Sequence, residues 1–244
     1  MLIHLVNPNT TASMTAKAAV AARAVAAPGT VIRADQPVDG PVSIEGPYDA
    51  AFAVPGMLGR IREAIDAGAD AHVIACFDDT GLDAARALSP KPVIGIGEAA
   101  FHMATLVAER FSVVTTLSRS IATIEANLVR YGLAARCARV RAADVPVLAL
   151  EEEGSAACGR ISEEIARAVA EDRAEAIVLG CAGMTDLARR LADAHGVPVV
   201  DGVAAAVTLA EGLVRLGLAT SKVGGWALPI AKPYAGRFAD RAPG

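Results

Sequence analysis

The segment Ala71-His72-Val73-Ile74-Ala75-Cys76 can be laid on Ala176-Ile177-Val178-Leu179-Gly180-Cys181, an offset of 105 residues, and each is followed by a short polar turn and a helical stretch. The parallel extends further. Pro92-Val93-Ile94-Gly95 corresponds to Pro198-Val199-Val200-Asp201, and Val6-Asn7-Pro8-Asn9-Thr10 to Val114-Thr115-Thr116-Leu117-Ser118. A chain that repeats itself at such a period folds as related units, here two half-molecules.

Within each half, short β-branched runs alternate with Ala-rich helical stretches, the pattern of a parallel sheet wrapped by helices. The fold class is therefore α/β. Strands are expected at 2–6, 31–34, 72–75, 93–96, 112–115, 138–141, 176–179 and 197–200. Helices are expected at 13–26, 50–67, 81–88, 99–110, 120–131, 158–170, 184–194 and 204–216. Several strands are wholly apolar, as strands covered by helices on both faces are.

Composition narrows the function classes. With 53% hydrophobic and 20% charged residues in 244, the chain can bury a core and is not intrinsically disordered. No apolar run reaches the roughly 18–20 residues that a membrane span requires. A net charge of -4, with Lys and Arg scattered singly, offers no basic field for nucleic acid. Met1 to Asn7 carries no basic lead and no secretory apolar region, so the cytoplasm is the expected compartment. Four cysteines without paired short spacing make neither a disulfide framework nor a zinc finger, and free thiols are expected.

In an open α/β sheet, ligands collect beyond the carboxyl ends of the strands. The polar loops Asn7-Pro8-Asn9-Thr10-Thr11, Cys76-Phe77-Asp78-Asp79-Thr80, Thr115-Thr116-Leu117-Ser118 and Gly180-Cys181-Ala182-Gly183 all fall there. If the halves face each other, one cysteine stands on each wall of the pocket between them. A thiol at the start of a helix is stabilised as thiolate by the helix dipole, and both Cys76 and Cys181 are expected in that position. Two acid/base groups on opposite faces of one carbon are what racemisation without a cofactor requires. The pair must start in opposite protonation states: Asp78 and Asp79 disfavour a thiolate at Cys76, whereas Gly180, Ala182 and Gly183 put no negative side chain beside Cys181. Cys137, opening a strand, and Cys158, in an Ala-rich helix, are expected to be structural.

The ordered set Asn7-Pro8-Asn9-Thr10-Thr11, Ser43-Ile44-Glu45-Gly46, Ile74-Ala75-Cys76-Phe77-Asp78-Asp79, Phe111-Ser112-Val113-Val114-Thr115-Thr116-Leu117, Pro146-Val147-Leu148-Ala149-Leu150-Glu151 and Val178-Leu179-Gly180-Cys181-Ala182-Gly183-Met184 resembles the hydantoin racemase family over nearly the whole chain. The resemblance implies two pseudo-symmetric α/β domains with the active site in the cleft between them. The chain would cross back near its end, giving 1–97 plus about 207–244 as one domain and 98–206 as the other. It further implies no cofactor, no metal, a small-molecule substrate and a homo-oligomer, with a tetramer or larger assembly within that expectation. Cys76 and Cys181 stand where that family keeps its acid/base pair. The substrate-binding set is then Asn7, Thr10, Ile44, Phe77, Asp78, Thr116, Leu117, Gly180, Ala182 and Gly183. The implied reaction is racemisation of 5-monosubstituted hydantoins at C5: hydroxyl and backbone groups would stabilise the enolate left when the C5 proton is removed, while Phe77 and Ile44 would hold the 5-substituent.

Phe77-Asp78 and Ala182-Gly183 replace the polar pairs that amino-acid racemases of the superfamily carry after their cysteines, which favours a neutral ring over a free amino acid. Allantoin racemases of the same family and Asp/Glu-type amino-acid racemases are the alternatives within the class. A two-lobed small-ligand-binding protein without turnover is the alternative outside it. Other signals lead elsewhere. Gly95-Ile96-Gly97-Glu98-Ala99-Ala100 resembles a dinucleotide fingerprint, yet Glu98 would face the pyrophosphate and no acidic strand end follows to hold the ribose. His4, His72, His102 and His195 lack metal-ligand spacing. Glu151-Glu152-Glu153 is expected to cap the helix that follows, and Met57 and Met184 are expected in the core.

Overall fold

The computed structural model describes residues 1–151 and 156–243. The chain runs β1 (Leu2–Val6), α1 (Ala12–Val25), β2 (Val31–Asp35), α2 (Pro47–Asp66), β3 (Ala71–Ile74), α3 (Leu82–Leu88), β4 (Val93–Gly95) and α4 (Ile96–Val107). It continues as β5 (Phe111–Thr115), α5 (Ile121–Arg130), β6 (Cys137–Ala142), α6 (Ala157–Glu171), β7 (Ala176–Gly180), α7 (Ala188–His195), β8 (Val199–Val200) and α8 (Gly202–Arg215). All strand pairs are parallel, in two four-stranded sheets ordered β2-β1-β3-β4 and β6-β5-β7-β8. The second order reproduces the first strand for strand, so the repeat in the sequence is a repeat of topology.

The small side chains have a packing role. One core cluster joins the inner faces of both sheets, Ile3, Leu5 and Val73 with Val113, Ala176 and Val178, to α1, α4 and α8. α4 and α8 touch both sheets. Their buried faces are Gly97, Ala99, Ala100 and Ala104 on α4 and Ala205, Ala206, Val207 and Ala210 on α8. Alanine and glycine let helix axes approach closely, while Ile96 and Phe101 add bulk on the α4 side, Phe101 stacked on Phe111 at 6.0 Å. The outer faces are covered separately. α2 and α3 bury Met57, Ile61 and Leu82 on the first sheet, and α6 and α7 bury Ile161, Ile165 and Leu191 on the second. Met57 and Met184 are both fully buried.

Helix boundaries depart from the sequence reading for tertiary reasons. α4 starts three residues earlier than expected because the Asp79 carboxylate accepts the N–H groups of Gly97 (3.0 Å) and Glu98 (2.8 Å), a cap supplied from another loop. It ends at Val107 because Arg136 takes the carbonyls of Thr105, Ala108 and Glu109. α8 is capped by its own Asp201, which accepts from Val203 and Ala204. The acidic run expected to cap α6 lies outside the described residues, apart from the backbone of Glu151. His4 and His72 meet in the core at 3.2 Å with His4 also on Asp35, His195 bonds Ser162, and His102 is exposed.

Candidate active site

β1, β3, β5 and β7 occupy the centres of the two sheets, and their carboxyl ends open into one cavity of about 40 Å³. Asn9, Met14, Ile44, Cys76, Phe77 and Asp78 line it from the first half, and Thr115, Thr116, Ser120, Val147, Gly180, Cys181 and Ala182 from the second. Both repeat-related cysteines therefore reach the same space. A water needs roughly 10–15 Å³ on this measure, so the space holds about three waters and a substituted ring enters only when the walls part. The walls are joined at Glu45, whose carboxylate accepts from Val147 N–H and Ser43 Oγ at 3.3 Å. Lys17 on α1 adds a second tie, reaching the carbonyls of Leu150 (3.0 Å) and Gly183 (3.5 Å).

The two thiols differ. Cys76 was expected at a helix start, but α3 begins only at Leu82, after Gly81 in left-handed conformation. Its Sγ instead lies 3.3 Å from Thr80 Oγ1. Burial, with the Asp78 charge behind it, pushes the Cys76 thiol up to about 12. Cys181 does sit at the start of a 3-10 turn, Ala182–Leu187, and its Sγ accepts the Gly183 N–H at 3.4 Å. Gly180 is required beside it: a Cβ there would come within 2.8 Å of Thr115 Cα on β5. Thr115 Oγ1 donates to the Gly180 carbonyl at 2.9 Å and fixes the end of β7.

The other expected residues divide. Ile44, Phe77, Asp78, Thr116, Gly180 and Ala182 line the cavity, whereas Asn7, Thr10, Leu117 and Gly183 do not. Asn7 is buried and donates to Asn9 Oδ1 (2.8 Å) and Thr15 Oγ1 (3.1 Å). Thr10 docks on the Pro41 carbonyl, and the Leu117 carbonyl accepts the Ser120 N–H. Phe77 is only 4% exposed and packs edge-on against Phe101 at 5.4 Å, so its ring is committed to the core. The sequence reading passed over Asn9 as a binding residue. Thr11 N–H and Asn7 Nδ2 both donate to Asn9 Oδ1, which leaves Nδ2 with the Met14 thioether at 3.6 Å as its partner among the described residues, beside the cavity.

The helix N-terminus that resembled a dinucleotide site is occupied by Asp79. A Cβ at Gly95 or Gly97 would collide with the Asp79 carboxylate or the Phe77 carbonyl, so these glycines make room for the chain's own loop. Tyr131 OH also donates to Asp79, at 2.8 Å. Among the described residues no group of three or more His, Cys, Asp or Glu is placed to hold a metal ion, and no helix is long and apolar enough to cross a membrane.

The Asp/Glu/Hydantoin racemase family matches residues 3–210 of this chain. The chain belongs to that family. Within it, a hydantoin racemase of Rhizobium meliloti is 54% identical over 236 residues, 97% of this chain and 98% of the relative. Among solved structures, an allantoin racemase from Klebsiella pneumoniae superposes with a TM-score of 0.97 at 51% identity, covering 100% of this chain and 99% of that one. Arylmalonate decarboxylase, at 17% identity and a TM-score of 0.64 over 99% of this chain and 100% of its own, shares the fold alone.

Proposed function

We propose that this chain is a racemase that inverts C5 of 5-monosubstituted hydantoins by two-base proton transfer between Cys181 and Cys76. The observation that carries the reading is that repeat-related cysteines from the two halves line one cavity. The Gly183 N–H on its sulfur makes Cys181 the first base, and the high pKa of Cys76 keeps it protonated as the first acid. Cys181 takes the C5 proton, the electron pair passes to the ring carbonyl as an enolate, and Cys76 delivers its proton to the opposite face. Asn9 Nδ2 and the Thr116 hydroxyl are the donors for the enolate oxygen. Neither metal nor organic cofactor takes part in this scheme. The lobes that part for substrate are residues 1–97 with 207–244, and 98–206.

Allantoin, itself a 5-substituted hydantoin, is the second reading, favoured by the likeness to the Klebsiella pneumoniae protein. We further propose a cytoplasmic homo-oligomer. No disulfide joins any two of the four cysteines, as expected in a reducing compartment. The chain exposes 11106 Å², whereas a compact monomer of its mass exposes roughly 10,200 Å². The excess, about 900 Å², matches the roughly 800 Å² that one partner covers in a standard interface, and the tail after α8 exposes Val223, Leu228 and Ile230. Polarimetry on an optically pure 5-substituted hydantoin, with a chelator present, tests the activity. Rotation decaying to zero is expected, and a constant rotation with substrate bound would leave only a ligand-binding protein.

A further inference from the structure

Asp78 and Asp79 are adjacent acids in opposite circumstances. The Asp79 carboxylate is fully buried and receives three donors, from Gly97, Glu98 and Tyr131. The Asp78 carboxylate lines the thiol cavity and makes no hydrogen bond or ion pair to any described residue. Its backbone, in contrast, is fixed. Asn127 Nδ2 donates to the Asp78 carbonyl at 2.9 Å, and the Asp79 N–H closes a turn on the Cys76 carbonyl at 3.0 Å. The side chain is thus held on a rigid loop, two residues from a reacting thiol, with its oxygens unmatched by protein donors. Burial raises its pKa to about 6, so the group carries this desolvation while leaving it ionised at neutral pH. Polar groups drawn away from water are ordinarily paired, and this half-buried carboxylate, unmatched among the described residues, opens onto the space where substrate binds.

We propose that Asp78 is a specificity-determining residue whose carboxylate accepts the N1–H of the substrate ring. The inference rests on the racemase reading above and names the substrate class more closely: neutral cyclic ureides that carry an N–H beside the reacting carbon. Of the two ring N–H groups, N1–H is selected by charge. The negative charge that develops on deprotonation of C5 collects on the C4 oxygen. N3–H adjoins that carbonyl, so a carboxylate there would repel the enolate. N1–H lies on the far side of C5 and can be held by an anion while the Asn9 amide donates to the oxygen. Donor and acceptor then sit at opposite ends of one ring and fix its orientation. The same carboxylate repels substrates bearing their own carboxylate, which separates a hydantoin from a free amino acid at this position.

The test replaces the N–H without changing the shape of the ring. 5-Substituted oxazolidine-2,4-diones carry a ring oxygen where hydantoins carry N1–H, and both keep the acidic C5–H. The preference for hydantoin over oxazolidinedione, as a ratio of kcat/KM with each constant referred to the neutral, N3-protonated form of its substrate because the oxazolidinedione imide is the stronger acid, is measured in wild type, Asp78→Asn and Asp78→Ser. Intrinsic C5 acidity and the fraction of folded protein cancel when the ratios are compared between variants. So does any effect of the lost charge on Cys76, because it acts on both substrates. The preference is expected to fall roughly ten- to hundredfold in the variants, the worth of one hydrogen bond to a charged group. An unchanged ratio would overturn the proposal. A measurement on wild type alone covers the case of variants that do not fold. Unsubstituted hydantoin should inhibit at least about tenfold more tightly than unsubstituted oxazolidine-2,4-dione, and equal inhibition would equally overturn it. Wild type that racemises hydantoins with an unchanged ratio defeats this inference alone, whereas wild type that racemises none defeats the racemase reading with it.

Discussion

The loops after β3 and β7 occupy the same place in the two halves, yet they treat their cysteines in opposite ways. After β3 the chain turns through Asp79 and Gly81, both at positive φ, before α3 begins. Cys76 is left half-buried beside two carboxylates. After β7 the chain winds directly into a 3-10 turn that hands the Gly183 N–H to Cys181. The repeat supplies two thiols facing one cavity, and the two loops surround them differently: burial and Asp78 raise the Cys76 thiol, whereas Cys181 receives a backbone N–H. A symmetric pair would repel a second thiolate or waste both protons, whereas an unequal pair starts with one base and one acid.

The largest effect expected from breaking the pair is on turnover. Cys76→Ala and Cys181→Ala should each lower racemisation at least about a thousandfold, the scale of a lost acid/base group, while Cys137→Ala and Cys158→Ala stay within about twofold because their thiols do not line the cavity. Polarimetry reads both. The next effect concerns the inequality itself. With its thiol near 12, Cys76 is thiolate to only ~10⁻⁴ at pH 8. Iodoacetamide at pH 8 should therefore label Cys181 well ahead of Cys76 in peptide mapping. The Cys76 rate should climb about tenfold per pH unit, because a raised thiol pKa leaves thiolate formation still to come as pH rises. Equal labelling of both cysteines would abolish the distinction between the loops.

Smaller effects bear on what holds each loop. Asp79→Ala removes the acceptor of three donors, two of them at the start of α4, and should destabilise the fold by about 2–4 kcal/mol in urea unfolding. Tyr131→Phe removes one of those bonds and should lower stability by about 1–2 kcal/mol. Smallest of all, Glu45→Gln weakens the tie to Val147 across the cleft. It should change KM and kcat together by less than about tenfold, as lid contacts do, without altering stability measurably.

Much of the architecture was legible in the sequence, because apolar β-branched runs flanked by Ala-rich stretches admit few other readings. β1 falls at 2–6 as expected, and most other strand ends shift by a residue. β8 is shorter than expected, Val199–Val200, since Pro198 has no N–H to offer the ladder although its carbonyl still accepts from Ile177. What could not be read are boundaries set by distant residues. The Asp79 cap on α4 spans 18 residues and the Arg136 grip on its end about 30, and neither leaves a local signal. The expected helix at 184–194 opens as a 3-10 turn because Gly183 is engaged with the Cys181 sulfur.

At the site, the cysteines were visible because the repeat marked them. Asn7 and Asn9 look equivalent in the motif, but they alternate in direction: Asn7 braces the loop from within and Asn9 faces the cavity. The role of Lys17 was invisible, since its partners Leu150 and Gly183 are backbone carbonyls far along the chain. The dinucleotide-like glycines were legible as glycines, but not as space for Asp79.

In the proposed mechanism each thiol serves one face of the same carbon. Proton NMR in D₂O, following loss of the C5 signal from each enantiomer with Cys76→Ser and Cys181→Ser, measures this directly. Each variant should wash out the proton of a single enantiomer, opposite for the two variants, and neither should racemise. Washout of the same enantiomer by both, or racemisation carried by one remaining thiol, would contradict it.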